Sequence, residues 1–253
     1  MKPTEEDREI GRSRAIANTP PAKPFDGWAF VGGLLAAYVL PVIPGEGTFA
    51  LAVRAKSVFA GYAIGIAYIA LPVAILAGII IWWEKLPLAS AGWRLPTRFE
   101  ILPAVLGFLA CVSSAVSFAY VYFWIAGHLF SDPSMMKLIK RAWASPLWIR
   151  IVLVVGDALV EECGRGYVIE RVARVSDSAT VGGLAALAGS MLGHIAAWGV
   201  NKAYVFLPAQ LTFVLLYLWR RNVGTCVIAH SLVDAIPIVV FPLFVKPTAL
   251  ALS

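Results

Sequence analysis

The chain has 253 residues, 60% of them hydrophobic and 14% charged, with a mean hydropathy of +0.78 and a formal net charge of +6. Soluble globular proteins carry about 25% charged residues, so this composition excludes a single water-exposed globule and calls for burial against lipid. The positive charge does not point to nucleic acid: basic residues cluster at the ends of apolar runs, where they set topology, and no soluble segment interleaves them with aromatics.

Met1 to Asp26 is charged at first (Glu5, Glu6, Asp7, Arg8, Glu9) and then proline-rich (Pro20, Pro21, Pro24). It is too polar and acidic for a signal peptide and is expected to be a disordered cytoplasmic tail. Residues 27–253 are expected to form one transmembrane domain. Its apolar runs are Trp28–Ile43, Ser57–Trp83, Phe99–Ala126, Leu147–Ala173, Ala179–Val200, Tyr204–Trp219 and Val223–Val245. A helical span takes about 20 mostly apolar residues. The expectation is therefore an all-α, polytopic transmembrane helical bundle of about seven spans, or eight if Ile43–Lys56 hides a break. Ser131–Pro146 sets Lys137, Lys140 and Arg141 against Met135, Met136, Leu138, Ile139 and Trp143, the pattern of a helix lying in the interface. His128, at a span end, reads as an interfacial polar residue. Cys111, Cys163 and Cys226 lie in apolar segments without a CxxC pair and read as buried thiols. Counted on seven spans with the tail inside, thirteen of the 21 Lys and Arg residues fall on the inner side, which expects a cytoplasmic N-terminus.

Ionisable residues inside spans are costly, and they mark function by default. Here they concentrate late in the chain: Asp157, Glu161, Glu162 and Arg165 in the fourth run, His194 in the fifth, His230 and Asp234 in the seventh. Asp157, Glu161 and Arg165 recur at i, i+4 and i+8, one stripe of a helix, so Glu161 and Arg165 are placed to pair. Glu162 points about 100° away from Glu161. His230 and Asp234 are again i, i+4, which lets the carboxylate hold the imidazole in one orientation. His194 must come from another helix. Carboxylates and histidines meeting from three helices suit hydrolysis, with a glutamate taking a proton from water and histidines steadying an oxyanion. Glu161, His194 and His230 would also be the ligands if a metal such as zinc were held, although no HExxH is present. No cofactor is otherwise expected.

Three segments carry a family resemblance. Glu161-Glu162-Cys163-Gly164-Arg165-Gly166-Tyr167, Ser190-Met191-Leu192-Gly193-His194 and His230-Ser231-Leu232-Val233-Asp234 resemble, in order, the EExxxR, FxxxH and HxxxN/D motifs of the CPBP family (CAAX proteases and bacteriocin-processing enzymes, also called Abi). The stretch from Ala209 to Ala235 is similar to the family's run-up to its third motif, and the whole resemblance covers about 147–237. It implies a helical intramembrane protease with a glutamate that activates water, completed by the histidines and the third-motif acid. Two positions depart from the pattern. Ser190 stands where Phe is usual, and Arg165 arrives four residues after Glu161 rather than five. Counted from the glutamates, Glu161 and Glu162 are the motif pair, which requires local retightening of the helix that Gly164 and Gly166 would permit. Counted from Arg165, Val160 occupies the place of the first glutamate and Asp157 becomes a substitute.

The expected function is that of an intramembrane endopeptidase acting on a membrane-associated or lipid-modified substrate. Glu161 is its base with Glu162 as the alternative, His194 and His230 bind water and oxyanion, Asp234 orients His230, and Arg165 pairs with a glutamate. Its surroundings are the lipid bilayer, expected to be a bacterial cytoplasmic membrane, and its substrate a peptide or membrane protein. The rival readings are a non-catalytic immunity or accessory factor on the same scaffold, and a transporter with a proton relay.

Overall fold

The computed structural model describes residues 26–41, 58–126, 140 and 142–244. Among these, seven helices of eight residues or more carry the fold. They are α1 (Gly27–Leu34, extended by a π-helical turn Leu35–Val39), α2 (Val58–Gly78, extended by Ile79–Trp83), α3 (Ile101–Ala126), α4 (Leu147–Ser176), α5 (Ala179–Trp198), α6 (Leu207–Arg220) and α7 (Val223–Ala235, extended by Ile236–Val240 and Phe241–Phe244). The expected tail up to residue 25, the break sought within Ile43–Lys56, His128 and most of the interfacial helix Ser131–Pro146 lie outside the described residues.

The all-α expectation stands, but the count of seven to eight spans does not. Among the described residues, four helices are long and apolar enough to cross a membrane: Tyr62–Trp83, Arg98–Ala126, Ala179–Trp198 and Val223–Phe244. The physical reasons differ for the other runs. Gly27–Val39 and Tyr204–Arg220 are apolar but short. At 1.5 Å per residue they reach only about 20 and 25 Å, less than a hydrocarbon core of about 30 Å. Leu147–Ser176 has 30 residues and ample length. It carries Arg150, Asp157, Glu161, Glu162, Arg165, Glu170, Arg171 and Arg174, too many charges for a lipid-facing span. Sidedness counted on seven crossings does not carry over to four.

That charged helix is the centre of the molecule. α4 packs against α5, α7 and α2, while α6 and α7 both pack on α3. From Glu162 to Ile169 every residue of α4 is buried. Such enclosure needs close approach of backbones, and small residues provide it. A Cβ on Gly164 would sit 3.0 Å from the Ala37 side chain, and one on Gly166 would sit 2.6 Å from the Ala91 carbonyl oxygen. A Cβ on Gly182 of α5 would meet the Ile169 carbonyl at 2.5 Å. Large apolar side chains remain exposed on the outer faces, among them Trp82, Trp83, Trp124, Leu184, Leu192 and Leu243.

One end of the bundle is tied by ion pairs between helices. Arg171 of α4 donates from Nε and Nη2 to the Glu84 carboxylate at the end of α2, at 3.0 and 2.7 Å, and from Nη2 to the Ser90 hydroxyl at 2.9 Å. Tyr167 donates to the same Glu84 at 3.0 Å. Glu100, at the start of α3, accepts from Arg220 at 2.8 Å and from Thr225 at 2.5 Å. Arg221 and Tyr217 both donate to Glu170, at 2.6 and 3.0 Å. The tight turns here use left-handed backbone: Gly92 has φ 73°, and its α-carbon lies so close to the Tyr217 ring that a side chain would collide with it. Asp26 caps α1 by accepting from the Trp28 and Ala29 amides at 2.9 and 3.1 Å, and it accepts from Trp83 Nε1 at 2.9 Å. The start of α1 is thereby fastened to the end of α2. Because Arg171 and Glu84 are both buried, Arg171→Leu strands a carboxylate. It is expected to cost about 3 kcal/mol of stability, read as a lowered midpoint of thermal unfolding in detergent.

Candidate functional site

The ionisable residues of the later helices do converge, around Arg165. Its side chain is 1% exposed, and a buried guanidinium persists only with its charge compensated and its donors satisfied. The compensation comes first from Glu162, one helical turn earlier, which accepts directly from Arg165 Nη1 and is itself fully buried. Glu161, the other residue on an adjacent turn, has Oε2 3.6 Å from Arg165 Nη2. The expected stripe pairing of Glu161 with Arg165 is therefore the secondary contact, and the i, i+3 pair with Glu162 is the primary one. Helical residues three and four apart are both neighbours, so spacing alone could not rank them.

The two glutamates have separate surroundings. Glu162 Oε1 also accepts from His230 Nδ1 at 2.8 Å, joining α4 to α7. Its Oε2 is buried and makes no hydrogen bond among the described residues. Glu161 retains 26% exposure of its side chain. Its Oε2 accepts from Gln210 Nε2 of α6 at 3.1 Å, and its Oε1 lies 3.9 Å from His194 Nε2 of α5.

Each histidine is oriented by a different group. His194 Nδ1 is 2.9 Å from the Ser190 carbonyl oxygen. A carbonyl only accepts, so Nδ1 carries the proton and Nε2 faces Glu161 with its lone pair when the ring is neutral. Phe206 packs on this ring at 4.4 Å between centroids. His230 stacks on Phe213, also at 4.4 Å. Its Nε2 stands 3.4 Å from Asp234 Oδ2, a longer contact than that of Nδ1 with Glu162. With a carboxylate at each nitrogen, the ring donates at both only as imidazolium.

The network thus brings together Glu161, Glu162, Arg165, His194, His230 and Asp234. Asp157 is an exception: its side chain is exposed and makes no hydrogen bond or ion pair among the described residues. Two further residues belong to the network. Gln210 is 2% exposed; its Oε1 accepts from Arg165 Nη2 and, at 2.7 Å, from the Ser190 hydroxyl. The signal for Gln210 was present in the sequence as the one amide in the apolar run Tyr204–Trp219, since isolated polar residues in apolar helices bond across helices. Ser190, the departure from the family's usual Phe, uses its hydroxyl for that bond.

α4 runs as uninterrupted α-helix from Leu147 to Ser176, without local retightening at Glu161–Arg165, and both glutamates reach Arg165 from regular i, i+4 and i, i+3 positions. Gly164 and Gly166 serve the close approach of Ala37, Ala91 and Val223 instead. Among the described residues, no group of three or more His, Cys, Asp or Glu side chains is placed to hold a metal ion. Of the trio considered for zinc, Glu161 Oε1 and His194 Nε2 face each other at 3.9 Å, while both ring nitrogens of His230 are turned to carboxylates, Glu162 and Asp234.

A buried arginine, two adjacent glutamates and two histidines from separate helices define a helical membrane protein with a polar centre walled by apolar spans. The segment that supplies nearly all of that centre, residues 143–236, matches the family model described as "Rce1-like: Type II CAAX prenyl endopeptidase Rce1-like". This stretch is therefore similar to CAAX-protease-like domains, consistent with the broader CAAX-protease and Abi superfamily. The match agrees closely with the resemblance seen over about 147–237 and covers less than half of the chain. Among curated proteins and among solved structures, no match is found.

The unequal burial of the two glutamates has a measurable consequence. Glu162→Gln leaves Arg165 undercompensated in the interior and is expected to cost about 3 kcal/mol. Glu161→Gln, at the half-buried position, is expected to change the unfolding midpoint little. Equal midpoints for the two variants, measured by thermal unfolding in detergent, would contradict the division.

Proposed function

We propose that this chain is an intramembrane endopeptidase that hydrolyses a peptide bond of a membrane-associated or lipid-modified substrate, with Glu161 activating the water. The observation that carries the proposal is the difference between the paired glutamates. Glu162 is sealed between Arg165 and His230, whereas Glu161 is reachable and its Oε1 stands 3.9 Å from His194 Nε2. That separation is too long for a hydrogen bond and suits one water in contact with both atoms.

A water there gives one hydrogen to Glu161 Oε1 and the other to His194 Nε2, which leaves its lone pairs free for the scissile carbonyl. As the oxygen attacks, its proton passes to Glu161, and the carbonyl becomes a tetrahedral oxyanion. Glu161 then delivers the proton to the departing amide nitrogen, and the carbon–nitrogen bond breaks. His230 is the cation beside this centre. Its Nε2 is held by Asp234 only at 3.4 Å, so it can turn its proton toward the oxyanion. Glu162 holds the Nδ1 side of that ring, and Arg165 keeps Glu162 ionised in place. Apolar helices around the centre exclude bulk water, which strengthens each of these electrostatic contacts.

The matched family is described as a prenyl endopeptidase, which makes an internally quenched, farnesylated CAAX peptide the first substrate to offer. Glu161→Gln and His194→Ala are each expected to lower its cleavage by about a hundredfold or more, with membrane insertion and unfolding midpoint preserved. Undiminished cleavage by well-inserted Glu161→Gln protein would sink the glutamate mechanism.

A further inference from the structure

Gln210 has no counterpart in the mechanism above, yet it occupies the space between Arg165 and Glu161. Its orientation is fixed by chemistry. A guanidinium only donates, so the amide oxygen must face Arg165; a carboxylate accepts, so the amide nitrogen must face Glu161. The Ser190 hydroxyl adds a second hydrogen bond to the same amide oxygen, at 2.7 Å. Three helices, α4, α5 and α6, therefore meet on one side chain that is 2% exposed.

The consequence concerns Glu161. An Arg165 guanidinium 3.6 Å from the Glu161 carboxylate at i, i+4 spacing needs only a small movement to turn this loose ion pair into a direct hydrogen-bonded one. Gln210 intercepts it. The amide oxygen takes the Nη2 proton that would otherwise go to Glu161, and the amide nitrogen holds Glu161 Oε2 at 3.1 Å. The other oxygen, Oε1, is left turned toward His194. Since Glu162 already compensates Arg165, a neutral amide is sufficient at this place.

We propose that Gln210 is a positioning residue that keeps Glu161 off Arg165 and turned toward His194, with Ser190 holding the amide in place. Its consequence for rate rests on the endopeptidase reading; its effect on the carboxylate does not. Without the amide, Glu161 closes onto Arg165, and both of its oxygens are drawn away from the water site.

The test is Gln210→Met, which keeps length and helix propensity but removes both polar ends. A structure of the full chain in lipid nanodiscs is expected to show Glu161 hydrogen-bonded directly to Arg165 and withdrawn from His194. With the farnesylated CAAX peptide, kcat is expected to fall about tenfold, on the scale of one charge-assisted hydrogen bond, while KM stays unchanged. Ser190→Ala, which leaves the amide in place but removes one of its anchors, is expected to lower kcat by a smaller factor, about threefold; it also serves as the second variant should Gln210→Met fail to fold. Glu161 unmoved in the Gln210→Met structure overturns the proposal, as does an unchanged kcat or a loss expressed in KM alone. If the wild-type chain cleaves nothing, the endopeptidase reading fails, and a displaced Glu161 in the variant structure still upholds the positioning role.

Discussion

The structure is organised by the need to bury one arginine. Arg165 lies in the stretch of α4 from Glu162 to Ile169 that is buried on every side, 1% exposed, and a guanidinium so placed must be matched in charge and in hydrogen bonds. Glu162 supplies the charge, Gln210 supplies an oxygen, and Glu161 completes the surroundings from the next turn. Those partners link α6 to α4 through the Gln210 side chain, and α7 to α4 through His230. The glycines that permit this closeness, Gly164 and Gly166, sit beside the arginine in the chain, and their neighbours would collide with any side chain. Removing the arginine would therefore disturb more than one contact, because several helices are registered on it.

The same constraint sets two adjacent carboxylates apart. One is paired directly with the buried cation, while the other lies 3.6 Å from it with an amide hydrogen-bonded alongside. The first, Glu162, becomes part of the scaffold and fixes the ring of His230. The second, Glu161, retains access and faces His194 across a gap that a water would fill. One helix thus carries both the anchor and the proposed base on consecutive residues, and the 100° between them sends them toward different partner helices.

The remaining ion pairs have a different character. Arg171 with Glu84, Arg220 with Glu100 and Arg221 with Glu170 each join the ends of helices rather than their centres. Their value lies in registering the helix ends relative to one another, and the packing in the middle of α4 depends on that register. Lipid supplies little force to draw apolar helices together, so polar clips and close glycine contacts carry more of the specificity than they would in water.

Composition and periodicity determined the helical class and lipid environment. The rarity of charge inside apolar runs picked out Glu161, Glu162, Arg165, His194, His230 and Asp234 before any contact was known. Helix counting failed where a run's length or apolar character falls short of what a membrane crossing needs: Gly27–Val39 is too short, and Leu147–Ser176 is long but too highly charged. Three matters were decided only in three dimensions. Arg165 prefers Glu162 over Glu161, although both spacings are permitted on a helix. Asp157 shares their helix face yet makes no hydrogen bond or ion pair among the described residues. Gln210 and Ser190 enter the network because side chains from α5 and α6 reach the arginine of α4. Sequence spacing fixes which side chains share a face of one helix; which of them is sealed, which is reachable and what stands between them depends on partners contributed by other helices.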